Sequence, residues 1–214
     1  MSKSISKRNP KVFPLFILIG LLLLILGFLF EKRYLNCLSV EPVLCANSYR
    51  YVSPTKQFTF RYPKDYPLTF KTGEEMIKQY GFDDEYDEWI NFSAEFYPNA
   101  GGERLGSVIV MKNTDVECVH EYANKIEADF NSLSGRYKGT PPKIEYVKIA
   151  GKDSVRVAAS QQPSSFSLPS DEYVLFENEK LYKITFDFDD YYHKKPVEYY
   201  ENSKKIILST FTFN

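Results

Sequence analysis

Two acidic runs carry most of the side chains here that could do chemistry. FDDEYDEW places Asp83, Asp84, Glu85, Asp87 and Glu88 directly before Trp89. Carboxylates at that density repel one another unless water, a cation or a basic surface neutralises them. One use is a divalent-cation site built on Asp83, Asp84 and Asp87. Another is contact with a basic protein partner through Asp84, Asp87 and Trp89, since an aromatic beside charge is what interfaces often present. The plain alternative is a solvated charged turn leading into a strand, with Trp89 packed at a sheet edge. The second run, DFDDYYHKK, offers Asp187, Asp189, Asp190 and His193, three hard oxygen ligands and one nitrogen. Its spacing matches no dedicated metal loop, so a polar strand end entering a loop is the competing reading.

Other reactive side chains are few. The histidines are His120 and His193, and the cysteines are Cys37, Cys45 and Cys118. Cys37 and Cys45 lie eight residues apart, a separation that permits a disulfide outside the cell and equally permits two free thiols. Cys118 falls on the flank of a helical apolar stripe and is expected to pack. His120 is expected to be a solvated surface side chain. The sequence has no G-x-S-x-G elbow, no H-E-x-x-H and no glycine-rich phosphate loop opening a helix. No catalytic residue and no cofactor is therefore assigned beyond the candidate divalent cation, and a non-enzyme is favoured over an enzyme.

The charge distribution gives an address. Lys3, Lys7, Arg8 and Lys11 make residues 1–11 a basic tail of charge +4, and residues 12–30, VFPLFILIGLLLLILGFLF, carry no charge. A net charge of −1 for the whole chain, less that +4, leaves −5 for everything after residue 30. A mildly acidic domain offers no footprint for nucleic acid. Nineteen apolar residues in a helix cover roughly the hydrocarbon core. The positive flank places the N-terminus in the cytoplasm and the rest outside, a single-pass signal-anchor in the cell membrane. A cleaved signal peptide would have a shorter apolar run and a small-residue cleavage site, whereas EKRY follows here. Residues 31–50, with Pro42 and Asn47 and weak periodicity, read as a juxtamembrane tether.

The elements that must position the candidate residues lie in residues 51–214. Phe58, Phe60 and Tyr62 alternate with polar neighbours and stop at Pro63, which predicts a strand that ends there because proline cannot donate to a ladder. Short strands are expected over 67–71 and 107–111, a helical turn or two over 73–80, and a clean strand over 90–97. Val116, Val119, Tyr122, Ala123, Ile126, Phe130 and Leu133 recur at three and four, which predicts an amphipathic helix, with Thr114 and Glu117 as its capping box and Gly135 as its stop. Hairpins are expected around Gly151 (144–149 with 154–159) and Asn178 (172–176 with 181–188), separated by a loop over 160–170. A final helix is expected over 196–208, with Pro196 in its first turn, followed by an apolar tail at Phe211 and Phe213 that returns to the core. Alternating strands with one buried face imply an antiparallel sheet covered by helices, an α+β domain.

A strand of the form F-x-F-x-Y-P followed by an aromatic, here Phe58, Phe60, Tyr62, Pro63 and Tyr66, resembles the start of the PsbP superfamily, where that aromatic is usually tryptophan. The Ile149-Ala150-Gly151 hairpin and the tail Ser209-Thr210-Phe211-Thr212-Phe213, with one inserted residue, are similar to later stretches of such domains. The resemblance spans residues 51–214. It implies an α/β/α sandwich with one mainly antiparallel sheet flanked by helices, here preceded by a single transmembrane helix. It also implies a non-catalytic role, since the superfamily includes photosystem extrinsic subunits and Ran-binding import factors. Nothing in this chain points to photosynthesis. The expected function is a membrane-anchored, extracytoplasmic binding or assembly module with a protein partner in the cell envelope. The alternative is a surface enzyme, hydrolase-like, with a dispersed site.

Overall fold

The computed structural model describes residues 18–25, 27, 37–80, 86–94, 103–112, 114–133, 141–158, 170–187 and 196–214. Residues 18–25 and 27 are helical and their large apolar side chains are exposed. Among the described residues no helix is long and apolar enough to cross a membrane. The basic tail, most of the expected anchor, the strand end at 95–97, Gly135 and nearly all of the 160–170 loop lie outside the described residues.

The folded part starts earlier than the sequence predicts. From Cys37 onward the expected tether is packed structure. Helix α1 (Pro42–Ala46) is capped by the Glu41 carboxylate, which accepts from the Val43 N–H at 3.3 Å. Strand β1 (Ser48–Val52) then pairs antiparallel with β2 (Phe58–Pro63), Tyr51 opposite Phe60. Leu44, Cys45 and Cys37 are buried against Ile206. The chain does not hang free here because these apolar side chains have a surface to cover.

Two sheets form where one was expected. Strand β10 (Thr212–Phe213) joins the far side of β2, giving a three-stranded sheet in the order β1-β2-β10. The second sheet contains β3 (Leu68–Thr72), β4 (Tyr86–Ala94), β5 (Glu103–Met111), β6 (Lys143–Ile149), β7 (Lys152–Ala158), β8 (Ser170–Glu177) and β9 (Lys180–Asp187). Its order is β3-β4-β5-β9-β8-β7-β6 with every pair antiparallel. Both predicted hairpins close through two-residue loops with positive φ, Ala150-Gly151 and Asn178-Glu179, the turn form whose twist suits antiparallel strands.

Strand alternation sorts the large sheet into two faces. Tyr182, Ile184 and Phe186 of β9, with Tyr173, Leu175, Val108 and Val110, meet Phe58 and Phe60 of the small sheet and Tyr200 and Ile207 of helix α4 (Val197–Thr210). Phe60 and Phe186 are both fully buried, as their rows predict. Phe211 stacks on Phe58 and Phe60, so the C-terminal tail does return to the core. Tyr66 is 1% exposed, so the aromatic that follows the Tyr-Pro stop packs into the core. On the opposite face Val155, Val157, Val174 and Leu181 pack against Val119, Tyr122 and Ala123 of helix α3 (Val119–Leu133).

The capping box sits on a different helix from the one predicted. Helix α2 (Gly73–Tyr80) opens with Thr72 and Glu75 satisfying each other's backbone N–H groups, at 3.3 and 2.8 Å. Those bonds hold the Glu75 carboxyl below its ordinary value. At α3 the Thr114 hydroxyl instead donates to the Val116 carbonyl, and the Glu117 N–H donates to Glu121. The helix begins at Val119 because Val116 is drawn into the core ahead of it. Cys118 is correspondingly exposed rather than packed.

Candidate functional site

The described part of the first acidic run, Asp87 and Glu88, is not in a loop. Strand β4 begins at Tyr86, so Asp87, Glu88 and Trp89 are strand residues. Tyr86 pairs with Met111 and Glu88 with Val110, which leaves Asp87 as the extra residue of a bulge. Bulges re-aim side chains. Here Glu88 points into the layer between the sheets and is 4% exposed. Its Oε1 accepts from the Thr55 hydroxyl at 2.8 Å and the Ser53 hydroxyl at 3.4 Å, both in the turn joining β1 to β2. Among the described residues, its Oε2 and the nearby Tyr51 hydroxyl have no hydrogen-bond partner. Burial pushes the Glu88 carboxyl above its usual range, against the pull of the two hydroxyls and of Lys180. Burial, reinforced by Glu88, also raises Tyr51, and pushes Tyr182 up to about 12.

Asp87 was expected to be solvated. Instead its Oδ2 meets Lys180 at 2.5 Å and its Oδ1 meets Lys112 at 3.8 Å. A metal ion there would have to displace an ammonium group. Lys180 also reaches the Gln57 side-chain oxygen at 3.3 Å, which accepts from the Tyr182 hydroxyl at 3.2 Å. Lys112 and Lys180 belong to the wall of a groove of about 760 Å³ with Val116 and Phe176. A second hollow of about 440 Å³ shares Thr114 and Val116 with it and continues past Met111, Tyr122 and Ile126. There the Tyr122 hydroxyl donates to Glu172, and Lys183 pairs with the same carboxylate at 3.1 Å. Apart from Val116 and Phe176 the larger groove is lined by polar and charged side chains, whereas the smaller hollow, with Met111, Val116, Ile126 and Leu181, has the more apolar wall that small ligands favour.

A second polar centre ties α4 to the large sheet. Asp171 on β8 accepts from Arg156 Nη2 at 2.9 and 3.0 Å and from Lys204 at 2.7 Å. Lys204 also reaches Glu201, and Arg156 reaches Glu145 at 2.8 Å. Burial pushes Asp171 up, but Lys204 and Arg156 outweigh it and hold the carboxyl below its ordinary range.

Of the second acidic run only Asp187 is described, and it lies away from Asp87 and Glu88. Asp187 ends β9 and is buried, six residues along the strand from Leu181, which shares the level of Met111 and Tyr86. At about 3.3 Å per residue that is roughly 20 Å. Asp83, Asp84, Glu85, Asp189, Asp190 and His193 lie outside the described residues. Trp89 pairs through its backbone with Ile109 and Lys71. Among the described residues no group of three or more histidine, cysteine or acidic side chains is arranged to hold a metal. Cys37 and Cys45 are bridged, with Cα atoms 5.5 Å apart. His120 is on the surface and stacks on Tyr146 at 4.9 Å. The sequence reading missed Ser53, Thr55, Gln57 and Lys180.

No family model matches the chain, and no curated protein matches it. Among solved structures, it is similar to the solution structure of cyanobacterial PsbP (CyanoP) from Synechocystis sp. PCC 6803. That likeness has a TM-score of 0.44 and 13% identity, covering 79% of this chain and 94% of the other. A crystal structure from Bacteroides thetaiotaomicron VPI-5482 is also similar, with a TM-score of 0.44 and 13% identity over 78% of this chain. The chain spans about half, 49%, of that structure's length.

Proposed function

We propose that this chain is a non-enzymatic, extracytoplasmic binding or assembly module, held at the cell membrane by residues 12–30 with its N-terminus in the cytoplasm. The observation that carries the reading is the Cys37–Cys45 disulfide, buried at 0% and 1% exposure just downstream of the uncharged run. Disulfides persist in oxidising compartments, and four positive charges precede the run. The charged groups of the Asp171 centre are spent on docking α4, a structural use. The grooves beside α3 give a protein partner or ligand a surface to engage.

Protease added to intact cells should remove the domain that begins at Cys37 without opening the membrane. Full protection until lysis would reverse the topology. Free thiols at Cys37 and Cys45 in protein taken from its native membrane would count against the compartment.

One observation favours a surface enzyme instead. Glu88 is a buried carboxyl with an unused oxygen beside the unused Tyr51 hydroxyl, as a general acid would be. Turnover of ester or glycoside substrates that Glu88→Gln abolishes would establish that reading. Partner capture unaffected by Glu88→Gln, with no turnover by the native chain, would remove it.

A further inference from the structure

We propose that Glu88 is a proton-operated latch between the two sheets: neutral, it holds the 53–57 turn onto β4, and ionised, it lets that turn go. The geometry sets this up. Glu88 reaches out of the large sheet, and Ser53 and Thr55 reach back from the turn of the small one. Both hydroxyls serve the same oxygen, Oε1, so Oε2 is left buried and, among the described residues, unpartnered.

The other groups facing this carboxyl do not neutralise it. From β1 comes the Tyr51 hydroxyl, itself unpartnered. From β9 come Tyr182, which donates to Gln57, and Lys180, whose ammonium is held by Asp87 at 2.5 Å. On β4 itself Asp87 adds a like charge next door. A buried carboxylate lacking a dedicated cation is costly, whereas the neutral acid is tolerated. Ionisation is therefore relieved by admitting water.

The turn is the part able to yield. Pro54, Thr55 and Lys56 are exposed, and Lys56 holds a positive φ of 57° without being glycine. The turn is fastened by scattered bonds: Ser53 N–H to Phe58 at 3.0 Å, Lys56 N–H to Ser53 at 2.8 Å, Gln57 N–H to the Ser53 hydroxyl at 3.3 Å, Asn214 N–H to Gln57 at 3.0 Å, the Asn214 side-chain amide to the Lys56 carbonyl at 2.5 Å, and Tyr182 and Lys180 to the Gln57 side-chain oxygen at 3.2 and 3.3 Å. The large sheet under β4 is bonded on both sides, to β3 and β5. Opening the turn hydrates Glu88 without breaking that ladder.

The sign follows from linkage. The folded carboxyl titrates above its unfolded value, so the closed turn is favoured at low pH and weakens as pH rises through that window. Each unit between the closed and open values changes the opening equilibrium about tenfold.

Hydrogen exchange of the full chain in detergent, corrected for intrinsic rates and followed from pH 5 to pH 8, tests this. Protection of the 53–58 amides should fall as pH rises, while β8 and β9 stay protected. Glu88→Gln should keep the low-pH protection throughout. An identical pH profile in the native chain and Glu88→Gln overturns the proposal, as does loss spread evenly over the large sheet. Thr55→Val serves if Glu88→Gln does not fold. It removes the hydroxyl that favours the ionised form, so the loss must move to higher pH; an unmoved or lower midpoint overturns the latch.

Discussion

Asp171 and Glu88 both leave the large sheet on the face that meets the small sheet and α4, and both are largely buried, yet their surroundings treat them oppositely. Asp171 receives three hydrogen bonds from two cations on two elements. Glu88 receives two from hydroxyls on one turn, and its nearest ammonium is committed to Asp87. The Asp171 carboxyl is held below its ordinary range by its cations and the Glu88 carboxyl is pushed above it by burial. Burial alone does not decide the charge of a carboxyl; the partners that are buried with it do.

The largest effect should come from Asp171→Asn. It leaves Arg156 and Lys204 without their shared counter-charge, and breaking such a centre costs about 3 kcal/mol. Denaturant unfolding of the full chain measures this. A loss under about 1 kcal/mol, the scale of surface changes, would mean that the network adds little and the contrast with Glu88 is one of geometry only.

Removing the clip that packs on the same helix, two residues beyond Lys204, sharpens the comparison. The Cys37–Cys45 segment packs on Ile206, so Cys37→Ser with Cys45→Ser tests whether α4 is held by ions or by covalent closure. A loop of this length predicts a loss of about 2.5 kcal/mol. A loss as large as that of Asp171→Asn would rank the two anchors equally.

Glu88→Gln should act in the opposite direction. The native contribution from Glu88 is lost as pH rises, so at pH 8 the variant should be more stable by about 1 kcal/mol, the lower range for an unmet buried group. Near pH 4.5 the two should coincide. The Asp171 contribution has the reverse sign: its depressed folded value makes it fully present above the unfolded value and lost as pH falls. A native stability curve with no decline on the alkaline side of this window, matched by Glu88→Gln, breaks the comparison. The smallest effect is expected from Tyr51→Phe. It deletes an unpartnered hydroxyl and should change stability by less than about 0.5 kcal/mol.

Local pattern made much of this fold legible. The row Tyr182, Ile184, Phe186 announced its buried face, and Ala150-Gly151 and Asn178 announced their turns. The 37–52 segment was less clear. Its Pro42 and Asn47 look like a tether, although Tyr49 and Tyr51 alternate about Arg50 in what proves to be β1. Thr114 and Glu117 have the spacing of a capping box, but a tertiary contact at Val116 decides where α3 begins. The seam could not be read at all. Glu88 meets a turn 33 to 35 residues away, Gln57 meets residues 123 and 125 positions distant, and the bulge at Asp87 exists only through register with β5. Pairing over such distances has no local signature.

β1 and β10 flank β2 and both run antiparallel to it. Ser48, where β1 begins, lies opposite Pro63, while Phe213, where β10 ends, lies opposite Phe58 at the other end of β2. Tension applied between Ser48 and Phe213 therefore draws β1 and β10 along β2 in opposite directions. Ladder bonds lie across the strands, so they share the load in shear instead of unzipping one after another. The three-stranded sheet therefore meets a pull between Ser48 and Phe213 in shear.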